Sequence, residues 1–481
     1  MHEHKPGVAA QARSSRRGRL RAAVCVGAIA AAIMATAGRS AADTLLGALT
    51  QAYQVNPQLN AQRAIVRQTD EAVPQALSGY RPSIKVNAGV GKQLTSQETI
   101  VGPALMQKDL WPTTPSSVGI TVQQTLFNGF QTANQTRAAE SNVFVARQTL
   151  RVIEQTVLLD AATIYSDVVR DAAILQVQQS NVRMLGEILQ QTRARFKLQE
   201  VTRTDVAQAE AQLAAGQSQM LGADSNLTTS KAAYRRVIGS EPGRLEPGLP
   251  VERLSPQTLA GAIDAGTTAN PSVLAARYGV DVAQLQVKIS ESSLYPTVTL
   301  LGSAQYLHDV PFTGLIPEQS SATALITVSV PLYQGGAEYS AIRQSKETLT
   351  QRRLDLATTR DKAQATVVQV WGEIRAAKAQ VQAAQEQVRA AEVALNGVRT
   401  EAQLGLRTTL DVLIDQQALV NARLNLVTAQ HDRVVGSYKL LSAVGRLSPQ
   451  TLGLAASIYD PMVHYQQVRD AWAGLRTPDG Q

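Results

Sequence analysis

Thiol chemistry is all but missing: the 481 residues hold one cysteine, Cys25, near the N-terminus. A disulfide framework and a thiolate metal site are therefore excluded for the rest of the chain. Aromatic residues make up 4% and charged residues 17%. Ala, Gln, Val, Leu, Thr and Ser dominate instead, a composition suited to thin, closely apposed helices. Beyond residue 40 there is no run of about 18 apolar residues, so any membrane crossing would have to be made by strands. Mean hydropathy is −0.10. Motifs for enzymatic chemistry are also missing: no HExxH, GxSxG, phosphate loop or CxxC occurs. Past the leader only His308, His431 and His464 remain, on separate segments, and each is expected to be an ordinary solvated side chain. The reading is of a non-enzyme with no cofactor and no metal.

The first 42 residues read as a secretory signal peptide. Lys5, Arg13, Arg16, Arg17, Arg19 and Arg21 precede an apolar stretch from Ala22 to about Ala37, and Ser40-Ala41-Ala42 offers a small-residue cleavage site. The leader carries seven basic residues and one acid. Without its +6, the formal charge of +8 falls to about +2. The basic pI of the whole chain is therefore no sign of a nucleic-acid partner. Cys25 leaves with the leader.

What remains is a tandem repeat. Asn56-Pro57 recurs as Asn270-Pro271, and Tyr80-Arg81-Pro82 as Leu294-Tyr295-Pro296, both 214 residues on. Leu126-Phe127-Asn128-Gly129 recurs as Leu332-Tyr333-Gln334-Gly335, Thr204-Asp205-Val206 as Leu410-Asp411-Val412, and Val237-Ile238-Gly239 as Ala443-Val444-Gly445, all 206 on. The copies span 43–256 and 257–450, with a C-terminal segment at 451–481.

Each copy has one internal plan. A helical segment (44–79, 257–292) runs up to a proline, where helices stop. A strand follows, with Ile84, Val86, Ala88 and Val90 alternating with polar or small neighbours, and Val298, Leu300, Gly302 and Ala304 doing so in the second copy. A loop (92–115, 307–321) leads to a returning strand, in which Val118, Ile120, Val122, Gln124 and Leu126, or Ala324, Ile326, Val328, Val330 and Leu332, share one face. Such alternation over about ten residues suits a membrane strand, and equally an ordinary half-buried one. Then the period becomes helical. Val367, Val370, Ile374, Ala377, Val381, Ala384, Val388, Ala391, Leu395, Val398 and Ala402 are spaced by threes and fours. Long helices are predicted over 130–196 and 336–402, with returning helices over 203–238 and 409–444. At 1.5 Å per residue a long helix reaches about 100 Å, and two shorter ones laid end to end match it.

Four strands per chain cannot close a barrel, and a membrane admits no open sheet edge. Three chains would supply twelve strands around a water-filled lumen. On these anchors, residues 43 to about 450 resemble the TolC-type outer-membrane efflux and type I secretion proteins. Tyr459-Asp460-Pro461, His464-Tyr465, Val468-Arg469-Asp470 and Trp472 are similar to the tail of the alphaproteobacterial secretion-type branch. The resemblance implies a mainly α fold with a membrane β-barrel. It implies a homotrimer with a 12-stranded outer-membrane barrel and a long periplasmic α-helical barrel, joined by a mixed belt from residues near 240–256 and 446–481. Expected function follows: export of proteins or small molecules from an inner-membrane ABC or RND transporter, through a periplasmic membrane-fusion adaptor, across the outer membrane. The competing reading is a periplasmic coiled-coil adaptor or structural protein of an envelope complex.

In such a tube the turns at 197–203 and 403–408 form the periplasmic mouth. Asp411 and Asp415, four apart, share a helix face, and three chains would present six carboxylates in a ring that favours cations. Aspartates in a helix's first turns also complement its macrodipole, with no further role needed. The resembled family carries an aspartate pair here. Asp411 falls on its first member, whereas its second lies three residues on and Asp415 lies four on. The family also closes its mouth by polar links between neighbouring helices. Arg407, Asp205 and Thr204 fall on such positions, and Ala402 stands where the family has a tyrosine.

Overall fold

The computed structural model describes residues 44–100, 106–309, 318–478 and 480. The predicted leader with Cys25, and parts of the two predicted loops, lie outside the described residues.

In the first copy the helical segment is three helices, not one: α1 (Leu45–Val55), α2 (Pro57–Asp70) and α3 (Ala72–Leu77). Proline is the cause. Asn56 caps α2, its Oδ1 accepting from the Gln58 and Leu59 amides at 2.9 and 3.3 Å, and Pro57 takes the first helical position, where no donor is required. Strands β1 (Ser83–Val90), β2 (Gln93–Ile100), β3 (Met106–Thr113) and β4 (Ser116–Asn128) follow, then the long α4 (Gln131–Lys197) and the returning α5 (Arg203–Ile238). The second copy has α6 (Leu259–Thr268), α7 (Pro271–Glu291), β5 (Thr297–His308), β6 (Glu318–Ser329), α8 (Ala337–Gln403) and α9 (Thr409–Ala443). Two short helices, α10 (Pro449–Leu452) and α11 (Pro461–Val468), end the chain.

The stretch 92–115 is not loop throughout, because β2 and β3 pair as an antiparallel hairpin, a two-stranded sheet of their own.

The backbone repeats as the sequence does. Left-handed φ angles occur at Gly129 and Phe130, Gln199 and Gly239, and again 206 residues on at Gly335 and Gly336, Gly405 and Gly445. These mark the strand-to-helix corner, the hairpin turn and the end of the returning helix. The Asn-Pro anchors have a second use besides capping. Asn56 Nδ2 donates to the Val237 carbonyl at 3.4 Å, and Asn270 Nδ2 to Ala443 at 3.0 Å, so each ties its own copy's returning helix to the start of the next helix.

Within each copy the long and returning helices pack antiparallel. The predicted stripe is the buried one: Val367, Val370, Ile374, Ala377, Val381 and Ala384 are all buried on α8. Its small side chains let helix axes approach closely, and each buried Val or Ile contributes about 1.5–3 kcal/mol. The largest core lies in the belt, where Tyr53, Leu49, Leu158, Tyr165, Tyr234 and Tyr438 are fully buried. The linker between copies crosses there: the Tyr165 hydroxyl donates to the Glu246 carbonyl at 2.7 Å, and Glu252 holds Arg433 at 3.0 Å and Lys378 at 2.8 Å. The tail straps back over the first copy. His464 Nδ1 lies 3.1 Å from the buried Asp70 carboxylate, and Arg81 stacks on Trp472 while donating to the Ala471 carbonyl at 2.7 Å.

Candidate channel wall and mouth

The four-stranded sheet has the order β1-β4-β5-β6, all antiparallel, with β4 and β5 joining the two copies. Register decides what each face carries. Ile84 pairs Val122, Val122 pairs Gly302, and Gly302 pairs Ala324; one step along, Val86, Ile120, Ala304 and Ala322 line up. Up to Thr125, even-numbered residues thus form one largely apolar face and odd-numbered ones, such as Lys85, Asn87, Thr121, Gln123, Ser303 and Thr323, a mostly polar one. A bulge between Thr125 and Phe127 then sets Phe127 opposite Val298, which ends the even-numbered pattern in β4 before Leu126. The predicted Val330 and Leu332 lie beyond the end of β6. Among the described residues nothing covers the apolar face: Val86 is 69% exposed and Ile326 and Val328 are each 60% exposed. A contiguous uncovered apolar surface of this kind marks a partner or a lipid phase. The outer strands β1 and β6 each have one edge unpaired within the protomer's sheet. Among the described residues no helix is long and apolar enough to cross a membrane.

At the far end of the helices lies the predicted mouth. Thr408 opens α9, and a reciprocal cap forms: the Thr408 amide and hydroxyl donate to Asp411 Oδ2 at 2.9 and 2.8 Å, while the Asp411 amide donates to the Thr408 hydroxyl at 3.2 Å. Those donors hold the Asp411 carboxyl below the usual carboxylate range. The first copy repeats the arrangement with Thr202 and Asp205, at 2.8 and 2.7 Å, and Asp205 is lowered for the same reason. Capping thus explains an aspartate at both positions. It does not explain Asp415, which is half-buried on the same side of α9 as Asp411 and whose counterpart 206 residues earlier is the buried Ala209.

Arg407 and Asp205 are not joined within the protomer. Arg407 Nε donates to Glu401 at 2.9 Å, a bond that raises its pKa, with Asp411 and Asp415 adding to the negative field around it. Asp205 is engaged by its own cap, and Thr204 is exposed. Sequence reasoning missed the apolar rim: Leu198, Leu404 and Leu406 at the two hairpin tips are each at least 70% exposed. Leucine flanking a left-handed turn residue was the available signal.

Two histidines contradict the solvated expectation. His431, on α9, is 2.9 Å from Asp432 and 2.9 Å from Asp167 of α4, the latter off the straight hydrogen-bond line. Burial lowers its pKa, but the two carboxylates outweigh burial and raise it. His464 is buried on Asp70, as described above, and of these three His308 alone is exposed among the described residues. No cluster of three or more potential metal ligands occurs among the described residues.

Residues 48–240 and 264–446 each match the family described as Outer membrane efflux protein. The chain belongs to that family. It is 39% identical to the outer membrane efflux protein BepC of Brucella suis over 91% of this chain and 93% of that one, and 27% identical to outer membrane protein TolC of Vibrio cholerae over 85% and 92%. Its fold is that of the Campylobacter jejuni CmeC outer membrane channel, with a TM-score of 0.75 at 14% identity over 89% of each chain. The two family matches end 206 residues apart, the offset of the left-handed turns. The family is one of efflux proteins and not of enzymes.

Proposed function

We propose that this chain is one third of a homotrimeric export duct of the Gram-negative outer membrane. Its sheet is a third of a 12-stranded barrel, and its helices form a periplasmic tunnel of about 100 Å. The observation that carries this reading is the sheet: an uncovered apolar face, a polar opposite face and two open edges. An open edge cannot persist in lipid, where every backbone donor needs a partner. Closure by further copies satisfies the edges, turns the apolar face to lipid and encloses the polar face around water. The BepC and TolC relationships support the export reading over that of a coiled-coil adaptor or structural protein.

The mouth meets a periplasmic membrane-fusion adaptor and, through it, an inner-membrane ABC or RND transporter; the exposed Leu198, Leu404 and Leu406 supply an apolar contact for the adaptor. Asp411 and Asp415 ring the opening and select for cations. Arg407 of one copy links to Asp205 and Thr204 of its neighbour when the mouth is shut, and adaptor or pump binding releases that link.

Single-channel conductance of the detergent-extracted protein in planar bilayers tests the reading. Small cation-selective openings are expected, with selectivity lost in Asp411→Ala/Asp415→Ala and conductance raised in Arg407→Ala. Conductance with unchanged selectivity would move the filter elsewhere. Absence of conductance, even with Arg407→Ala, would return the coiled-coil reading.

A further inference from the structure

The two copies are not equally buried. Helices α4 and α8 are both 67 residues long, yet α4 buries about twice as many residues; the same ratio separates α9 from α5. The reason is visible in the chain. α9 of the second copy packs against α4 of the first, whereas among the described residues their counterparts, α5 and α8, do not pack against each other.

The in-chain seam contains a defined polar contact. Arg399 donates to Gln416 Oε1 at 3.0 Å, and Gln416 Nε2 donates to Asn181 Oδ1 of α4 at 3.1 Å. Gln416 and Asn181 are both buried, beside a cavity of about 240 Å³. Moving each residue by 206 gives the other seam. Arg399 becomes Arg193, Gln416 becomes Glu210, and Asn181 becomes Gln387. Half of that set is already built: Arg193 donates to Glu210 at 2.6 Å, the same contact as Arg399 to Gln416. Glu210 is nevertheless half exposed, and Gln387 is exposed on α8.

We infer that the third member comes from a second copy, so that Gln387 of the partner subunit donates its amide to Glu210 at the seam between α5 and the neighbouring α8. This rests on the trimeric reading above and deepens it. Its chemistry differs from the in-chain seam in one respect. Within the chain the contact rests on a neutral Gln416; between copies it rests on a carboxylate already paired with Arg193. At this point the seam between copies is thus ionic and salt-sensitive, whereas its in-chain counterpart joins Gln416 to Asn181 through neutral amides.

Cross-linking tests this, in the full chain carrying Cys25→Ser. A short bis-maleimide that alkylates two thiols is used, because side chains meeting end to end leave Cα atoms beyond the roughly 7 Å a disulfide can bridge. Glu210→Cys/Gln387→Cys is expected to give covalent dimers and trimers on a denaturing gel, and either single variant none. Asn181→Cys/Gln416→Cys, the in-chain equivalent, is expected to react without gaining mass beyond one chain. Should loss of Glu210 impair assembly, Ala214→Cys/Ala383→Cys probes the same seam without removing a charge; these two correspond to Val420 and Val177 beside the in-chain cavity. If light scattering gives a trimer, and the in-chain pair reacts while both between-copy pairs yield monomer only, the seam is wrong and the trimer stands. A monodisperse monomer overturns the trimeric reading itself, and the seam with it.

Discussion

The corner where strand gives way to long helix permits a quantitative comparison between copies. Gly129 and Gly335 occupy equivalent corners, with φ of +62° and +77°. Alanine at either must adopt a left-handed backbone, at a cost of about 1–2 kcal/mol. At Gly129 there is a second cost. A Cβ would sit 2.6 Å from the Tyr295 Cβ and 2.9 Å from the Ser292 carbonyl oxygen, neither of which is the free end of a flexible chain. Forcing atoms into so packed a place adds about 1–3 kcal/mol. At Gly335 an added Cβ would meet nothing within 4 Å beyond its chain neighbours among the described residues. Gly129→Ala is therefore expected to destabilise the folded protomer by about 1–3 kcal/mol more than Gly335→Ala. The measurement is a urea titration of each refolded variant in detergent, followed by helical circular dichroism. Equal midpoints would refute the reasoning, because the left-handed term is common to both and only the Tyr295 contact separates them.

Three further outcomes follow from the geometry. His431 has a folded pKa raised above its ordinary 6.5, so its bonds to Asp167 and Asp432 stabilise fully below pH 6.5 and fade as pH rises through the folded value. His431→Gln should then lose stability, by about 1 kcal/mol, at pH 5.5 and little at pH 8.5; a gap that does not change with pH in thermal melts counts against it. Thr408→Ala and Thr202→Ala each remove a cap and should cost about 1 kcal/mol, seen as faster amide exchange confined to the first turns of α9 and α5. Asp70 is fully buried between His464 and Arg147. Removing the tail from Tyr459 onward leaves that carboxylate without its histidine and should make α2 susceptible to protease, whereas an unchanged digestion pattern would show the tail to be idle.

The parts of the fold legible in the sequence were those whose signal is periodic or repeated. The stripe from Val367 to Ala402 named the buried face of α8, and even-numbered strand residues named the apolar face of the sheet as far as Gln124 and Val328, since a pleat alternates sides regardless of what lies beyond it. The bulge after Thr125 and the end of β6 at Ser329 left Leu126, Val330 and Leu332 outside that pattern. The hairpin β2–β3 escaped because Gln93-Leu94-Thr95-Ser96-Gln97 has no apolar alternation to report. The division of the first helical segment was signalled by Pro57 and Pro74 but outweighed by the apolar pattern around them. The histidines escaped for another reason: His464 meets Asp70 across 394 residues of chain, a distance over which one sequence carries no pairing signal. At the mouth, spacing placed Asp411 and Asp415 on one side of α9 but did not separate their roles. Thr-x-x-Asp, present at Thr202 and again at Thr408, was a capping signature available in the residues themselves.

That separation of roles determines how the mouth ring has to be tested. Asp411→Ala removes a charge and also breaks the reciprocal cap with Thr408, so any change in conductance it causes mixes electrostatics with fraying of α9. Asp415 has no hydrogen bond to the cap, and alanine already serves at its counterpart, Ala209, in the first copy. Asp415→Ala therefore changes the field at the mouth and leaves the helix start intact. Asp411→Asn does the reverse control, keeping an oxygen acceptor for the Thr408 amide while losing the charge. If the carboxylates act as a ring, Asp415→Ala and Asp411→Asn should each lower cation selectivity by a comparable factor, because each removes three of six charges. If Asp411 is only a cap, Asp411→Asn leaves selectivity untouched and Asp415→Ala carries the whole loss. Bi-ionic reversal potentials on the two single variants decide between these, and selectivity retained in both would leave the mouth without a filter.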